Sequence, residues 1–96
     1  MKMNFVVGLK DLSGKEITDN RNENVTLSKI LGNAIIAEEA KDQPVLKYEL
    51  ATKLFNAKGE VDITETEKEI IKTVCTTGKL NILSAAQILI IVNNAK

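Results

Sequence analysis

The sequence predicts a mainly α fold of the α+β kind, in which a short N-terminal β-hairpin packs on a bundle of about four short helices. Three observations carry this expectation. Apolar residues alternate near the start of the chain, four later segments repeat apolar residues at three- and four-residue spacing, and glycine, proline and capping residues fall between those segments. With 96 residues the chain has the size of one small domain and is too short for two independent cores, so 1–96 is read as a single domain. Hydrophobic residues make up 44% of it and charged residues 27%, a balance that permits a buried core and argues against disorder.

Met3, Phe5, Val7 and Leu9 fall on one side of an extended segment, with Asn4, Gly8 and Lys10 on the other and Val6 as the exception. Asp11-Leu12-Ser13-Gly14 supplies turn chemistry and Lys15-Glu16-Ile17 a short return, which gives a hairpin over 1–17. From Thr18 to Asn24 no apolar side chain occurs, as in a solvated loop. Thr26 is placed to cap a first helix over 26–40, whose Leu27, Ile30, Leu31, Ala34 and Ile35 line one face. Pro44 restarts the chain at a helical first turn, where its missing N–H is not needed. The second helix, over 44–58, then carries Leu46, Leu50, Ala51, Leu54 and Phe55, with Gly59 placed to end it.

Val61-Asp62-Ile63 is a short extended segment. Thr64 and Glu67 have the spacing of a capping box, in which each side chain bonds the other residue's backbone N–H, at the head of a third helix over 64–77. Ile70, Ile71, Val74 and Cys75 form its stripe, and Gly78 sits just past its end. The run Ile88 to Val92 is β-branched enough for a buried strand, but the Ala85-Ala86-Gln87 lead-in and the total length predict a fourth helix over 82–94.

Thirteen basic residues cancel thirteen acidic ones, and only Arg21 offers the bidentate guanidinium that phosphate and base recognition favour, so no nucleic-acid partner is expected. Phe5, Tyr48 and Phe55 are the only aromatic residues, too few for a stacking platform. A lone cysteine, Cys75, forms no internal disulfide and fits a reducing compartment, with cytoplasm as the default. No signal-peptide pattern opens the chain and the longest apolar run is far too short to span a bilayer, so no membrane association is expected.

Histidine is absent, which removes the commonest general base and the commonest transition-metal ligand, and no catalytic residue, metal ligand or cofactor is assigned. Cys75 lies in the apolar stripe near a helix C-terminus, where the dipole disfavours a thiolate; it reads as a core residue. Glu65, Glu67 and Glu69 are explained by the positive end of the third helix dipole. The oxygen-rich run from Asp19 to Asn24 fails as a calcium loop because of Arg21 and, counted from Asn20 as the first position, of Val25 in place of glycine and Leu31 at the twelfth position. Gly14-Lys15 fails as a phosphate loop because Leu9 replaces the first glycine and Glu16 the hydroxyl residue.

What remains is apolar surplus. A 100-degree wheel centres the apolar face of the fourth helix on Ile82, Ala85, Ala86 and Leu89, flanked by Ile88 and Val92 on one side and by Leu83 and Ile90 on the other. Ile91 falls on the polar face beside Ser84 and Gln87, and Ile36 of the first helix falls among Lys29, Gly32 and Asn33. Ile36, Ile88, Ile91 and Val92 are therefore the candidate partner-binding residues. The plain alternative is that isolated apolar residues on the surface are normal or are covered by another element.

The Asp-x-x-Gly-Lys-x-Ile turn from Asp11 to Ile17, the Thr26-Leu27 helix opening, the Tyr-Glu-Leu-Ala-x-Lys-Leu segment from Tyr48 to Leu54 and the capped third helix occur in an order that resembles a group of small, mostly uncharacterised proteins of bacteriophages and prophages. The likeness spans most of the chain; the asparagine-rich loop and the isoleucine-rich end depart from it. It implies a phage-encoded protein in the bacterial cytoplasm and carries over no functional residue. The expectation is a non-enzymatic interaction or assembly protein that binds itself or a host or virion protein. The alternative is a small-ligand binding domain, or an enzyme working with carboxylates and lysines in a pocket the sequence does not announce.

Overall fold

A computed structural model describes residues 1–17, 25–37, 43–77 and 80–95. It is mainly α with a small two-stranded sheet, in the order β1 (Lys2–Asn4), α1 (Leu27–Ile36), α2 (Pro44–Phe55), β2 (Glu60–Asp62), α3 (Glu65–Thr76) and α4 (Ile82–Asn94). The asparagine-rich loop over 18–24, the continuation of the first helix over 38–40 and Gly78 lie outside the described residues.

The reversal expected at Asp11 to Gly14 is present. Asp11 N–H donates to Lys15 O at 2.8 Å and Ile17 N–H to Leu9 O at 2.8 Å, with Gly14 in the left-handed region at φ 91°. Asp11 Oδ1 accepts from the Ser13 and Lys15 N–H groups and from the Ser13 hydroxyl, which fixes the turn. The regular ladder is made elsewhere: β1 pairs antiparallel with β2, in the register Lys2↔Asp62, Met3↔Val61 and Asn4↔Glu60. The reason is length. A three-residue return after Gly14 reaches back only to Leu9 and Lys10, so the first residues of the chain pair with a later segment.

Between these two regions the chain runs beside the start of α1. Leu27 N–H donates to Val7 O at 2.9 Å and Ser28 N–H to Phe5 O at 2.8 Å. The first N–H groups of a helix lack intrahelical partners, and here backbone carbonyls supply them. This explains why Thr26, expected to cap α1 with its side chain, makes no such bond; its hydroxyl instead lies 3.2 Å from that of Ser28. The same path exposes Val7, which alternation placed inward with the buried Met3, Phe5 and Leu9.

α1 is closed by Ala37, whose N–H reaches Asn33 O at 3.1 Å. α2 begins at Pro44 as expected but stops at Phe55, short of 58. Asn56 donates both its backbone N–H (3.1 Å) and its side-chain amide (2.9 Å) to Thr52 O, so the helix ends there and not at Gly59. α3 starts on the predicted capping box, with Glu67 N–H to Thr64 Oγ1 at 3.1 Å and Thr64 N–H to Glu67 Oε1 at 2.9 Å. α4 spans the expected residues and is capped by Asn81 Oδ1, which accepts from Ser84 N–H at 2.8 Å.

The core gathers Met3 and Phe5 from the N-terminal segment, Leu27, Leu31 and Ile35 from α1, Leu50 and Leu54 from α2, Ile63 after β2, Ile71 and Val74 from α3, and Ile88 and Val92 from α4. α1 sits at the centre, in contact with α2, α3 and α4. It meets α2 closely at Gly32, where an added Cβ would lie 3.1 Å from Ala51 O.

Candidate interaction surface

Helix α4 is oriented differently from the hydrophobic wheel. Its buried face is Ser84, Ala85, Ile88 and Val92, and the side facing solvent carries Ile82, Ala86 and Ile90. The rotation has a physical cause. Gln87, counted as polar and outward, clamps the hairpin: its Oε1 accepts from Lys10 N–H at 3.0 Å and its Nε2 donates to Lys10 O at 2.7 Å. Ser84 is small enough to be buried where the elements approach. A wheel on which almost every position is apolar has no strong direction of its own, and these two polar residues set it.

Of the residues expected to meet a partner, Ile88 and Val92 are therefore corrected: both are fully buried, at 0% exposure, inside this chain's own core. Ile91 is half-buried and packs against that core. Ile36 is open to solvent at 61% exposure. The sequence reading missed Ile36's neighbours, since Val45, Tyr48 and Phe55 of α2 are also exposed. Val45, Tyr48 and Thr52 follow one another at helical spacing on α2, a signal hidden in the sequence by the stronger Leu46, Leu50 and Leu54 row beside them.

These side chains border two adjoining open hollows. One, of about 370 Å³, lies between α1 and α2 over Gly32 and Ala51, with Ile36, Tyr48 and Phe55 on its walls. The other, of about 710 Å³, lies over Pro44 and Val45 and is bounded by Glu49 and Lys53. Tyr48 and Thr52 line both. The Lys29 ammonium stands 5.7 Å from the centre of the Phe55 ring, within cation–π range. Gly32 is what makes the first hollow: a side chain there would fill it or press on the α2 backbone.

Burial pushes the Glu67 carboxyl up, but the Thr64 backbone N–H and the Lys53 ammonium outweigh it and hold the group below the ordinary range, ionised and structurally committed. Burial pushes the Cys75 thiol up to about 11, so it stays protonated near neutrality. Among the described residues no three acidic or cysteine side chains converge to hold a metal ion, and no helix is long and apolar enough to cross a membrane.

No protein-family model matches the chain, and neither a curated protein nor a solved structure matches it significantly.

Proposed function

We propose that this is a non-enzymatic interaction domain that docks another protein on the face shared by α1 and α2. The observation that carries the reading is the contiguity of Ile36, Val45, Tyr48 and Phe55 around the two hollows. Scattered exposed apolar residues are ordinary, but two aliphatic and two aromatic side chains around adjoining hollows form the kind of patch that partners cover. Aromatic residues with few charges are also the composition of interface centres. The resemblance of the Asp11 to Ile17 turn and the Tyr48 to Leu54 segment to phage and prophage proteins supports reading this domain as a phage or mobile-element protein of the bacterial cytoplasm, with itself or a virion or host protein as partner.

A photo-crosslinking amino acid at position 36 or 45, in the cells that naturally carry the protein, tests the reading. A discrete protein adduct is expected from both positions and none from position 12, the exposed tip of the hairpin turn. No adduct at 36 or 45, or the same adducts from all three, would reject docking at this face.

The size of the first hollow favours a second reading, because pockets for small molecules start near ~300 Å³. Tyr48 is the sole tyrosine and tryptophan is absent, so intrinsic fluorescence reports this wall alone. Saturable quenching by a small apolar compound, without a protein adduct, would select that reading.

A further inference from the structure

A separate cleft lies on the opposite side of α2 from Val45, Tyr48 and Thr52. α2 packs closely on α1 but not on α3, which leaves a space of about 210 Å³ between the start of α2 and α3. Gln43 and Lys47, four residues apart, line it from the start of α2. Thr66, Glu69, Ile70, Thr73 and Val74, at helical spacing, line it from one face of α3. We propose that this cleft binds a small zwitterion of amino-acid size, with its ammonium at Glu69 and its carboxylate at Lys47.

The charges carry the inference. Lys47 and Glu69 line one cleft from different helices, yet they form no ion pair with each other. The Glu69 carboxylate has no partner among the described residues. Lys47 makes a further interaction, but an ammonium has three donors, so that interaction leaves it able to receive a carboxylate. A ligand with one charge of each sign satisfies both residues together, whereas a dication or a dianion would set a like charge against one of them. Hydroxyls stand ready beside Glu69. That of Thr73 donates to Glu69 O at 2.9 Å and keeps its lone pairs for an ammonium, and that of Thr66 has no partner among the described residues.

Size and apolar lining narrow the class. At ~30 Å³ per water the cleft holds about seven waters' worth of space, below the ~300 Å³ at which pockets for drug-sized molecules begin, so nucleotides and coenzymes are too large for it. Ile70 and Val74 are buried and give the lining an aliphatic part, which a short branched side chain complements. Valine combines such a side chain with both charges. Gln43, Thr66, Glu69 and Thr73 are exposed, so water screens the charges and affinity should be on the order of millimolar.

Backbone amide NMR spectra recorded during titration with valine up to ~50 mM, well above that affinity, test the proposal. Saturable shifts are expected, concentrated at Thr66, Glu69, Ile70 and Thr73. Isobutylamine and isovalerate keep the branched stem with one charge each, and both should bind at least about tenfold more weakly than valine. Glu69→Gln should weaken valine binding about tenfold, while Glu65→Gln, outside the cleft on the same helix, should not. Lys47→Gln should remove the advantage of valine over isobutylamine, a change that a merely structural role would not produce. The spectra themselves show whether each variant stays folded. Shifts that are absent or do not saturate, valine bound no better than either single-charge analogue, or a folded Glu69→Gln variant that binds valine as the parent does would each overturn the proposal.

Discussion

The Lys53 ammonium donates to both carboxylate oxygens of Glu67, at 3.0 and 2.9 Å, and to Asp62 O at 2.7 Å. Lys53 belongs to the last turn of α2, Asp62 ends β2, and Glu67 closes the capping box of α3. One cation therefore joins three consecutive elements, and it does so beside the hollow over Val45, whose wall includes the Lys53 stem. The path from α2 to α3 is set by this node as much as by the apolar side chains beneath it.

Removing the cation while keeping the stem, as in Lys53→Met, should destabilise the fold by about 1–2 kcal/mol, since Glu67 then loses its counter-charge in a mostly buried setting. Thr64→Ala removes an acceptor from the same helix start and should cost about 0.5–2 kcal/mol. Because both act through Glu67, the double variant should lose less than the sum of the two in denaturant titrations. Strict additivity would show that the ion pair and the cap are separate supports.

The same node makes stability depend on acid. Glu67 is held below its ordinary value of 4.5 in the folded chain, so the folded state favours the ionised form more than the unfolded state does. Its contribution is complete above that ordinary value and is lost as pH falls through the depressed folded value. Other carboxylates titrate over the same range, so the difference from Glu67→Gln is the informative quantity. Urea midpoints of the parent should fall more steeply than those of Glu67→Gln below about pH 4.5. Parallel curves would remove Glu67 from the acid response.

Cys75 provides a reporter of opening. Burial raises its thiol to about 11, so two barriers, protonation and inaccessibility, oppose its reaction. A thiol reagent at neutral pH should label the native protein slowly and the urea-unfolded protein at the rate of a free cysteine. Equal rates would mean that α3 separates from the core on the labelling timescale.

The helices were legible because period, caps and breakers agreed: Pro44, the Thr64–Glu67 box and the apolar stripe of α3 all stand where their chemistry requires. Pairing and direction were not. No local pattern indicates that Lys2 to Asn4 joins Glu60 to Asp62, because that contact depends on how far the Asp11 to Gly14 turn lets the chain return. The facing of α4 was hidden for a related reason, since Gln87 reads as a solvent residue until Lys10 is known to lie beside it. Of the candidate partner residues only Ile36 is exposed. Val45, Tyr48 and Phe55 join it through the α1–α2 crossing at Gly32, which is a tertiary fact.

Two neighbouring isoleucines decide whether this facing of α4 is right. Ile90 points outward, whereas Ile91 packs against the core. Their chemistry, their helix and their distance from its ends are nearly the same, so propensity and dipole effects cancel between them. Ile90→Lys should leave stability, measured by denaturant titration, within the ±0.5 kcal/mol typical of surface changes. Ile91→Lys should cost about 1–3 kcal/mol, because it removes apolar contacts and draws an ammonium toward the core, from which its flexible stem partly rescues it. The opposite order, with Ile90 the costlier change, would mean that α4 is turned as the hydrophobic wheel placed it, with Ile91 outward and Ile82, Ala86 and Ile90 buried.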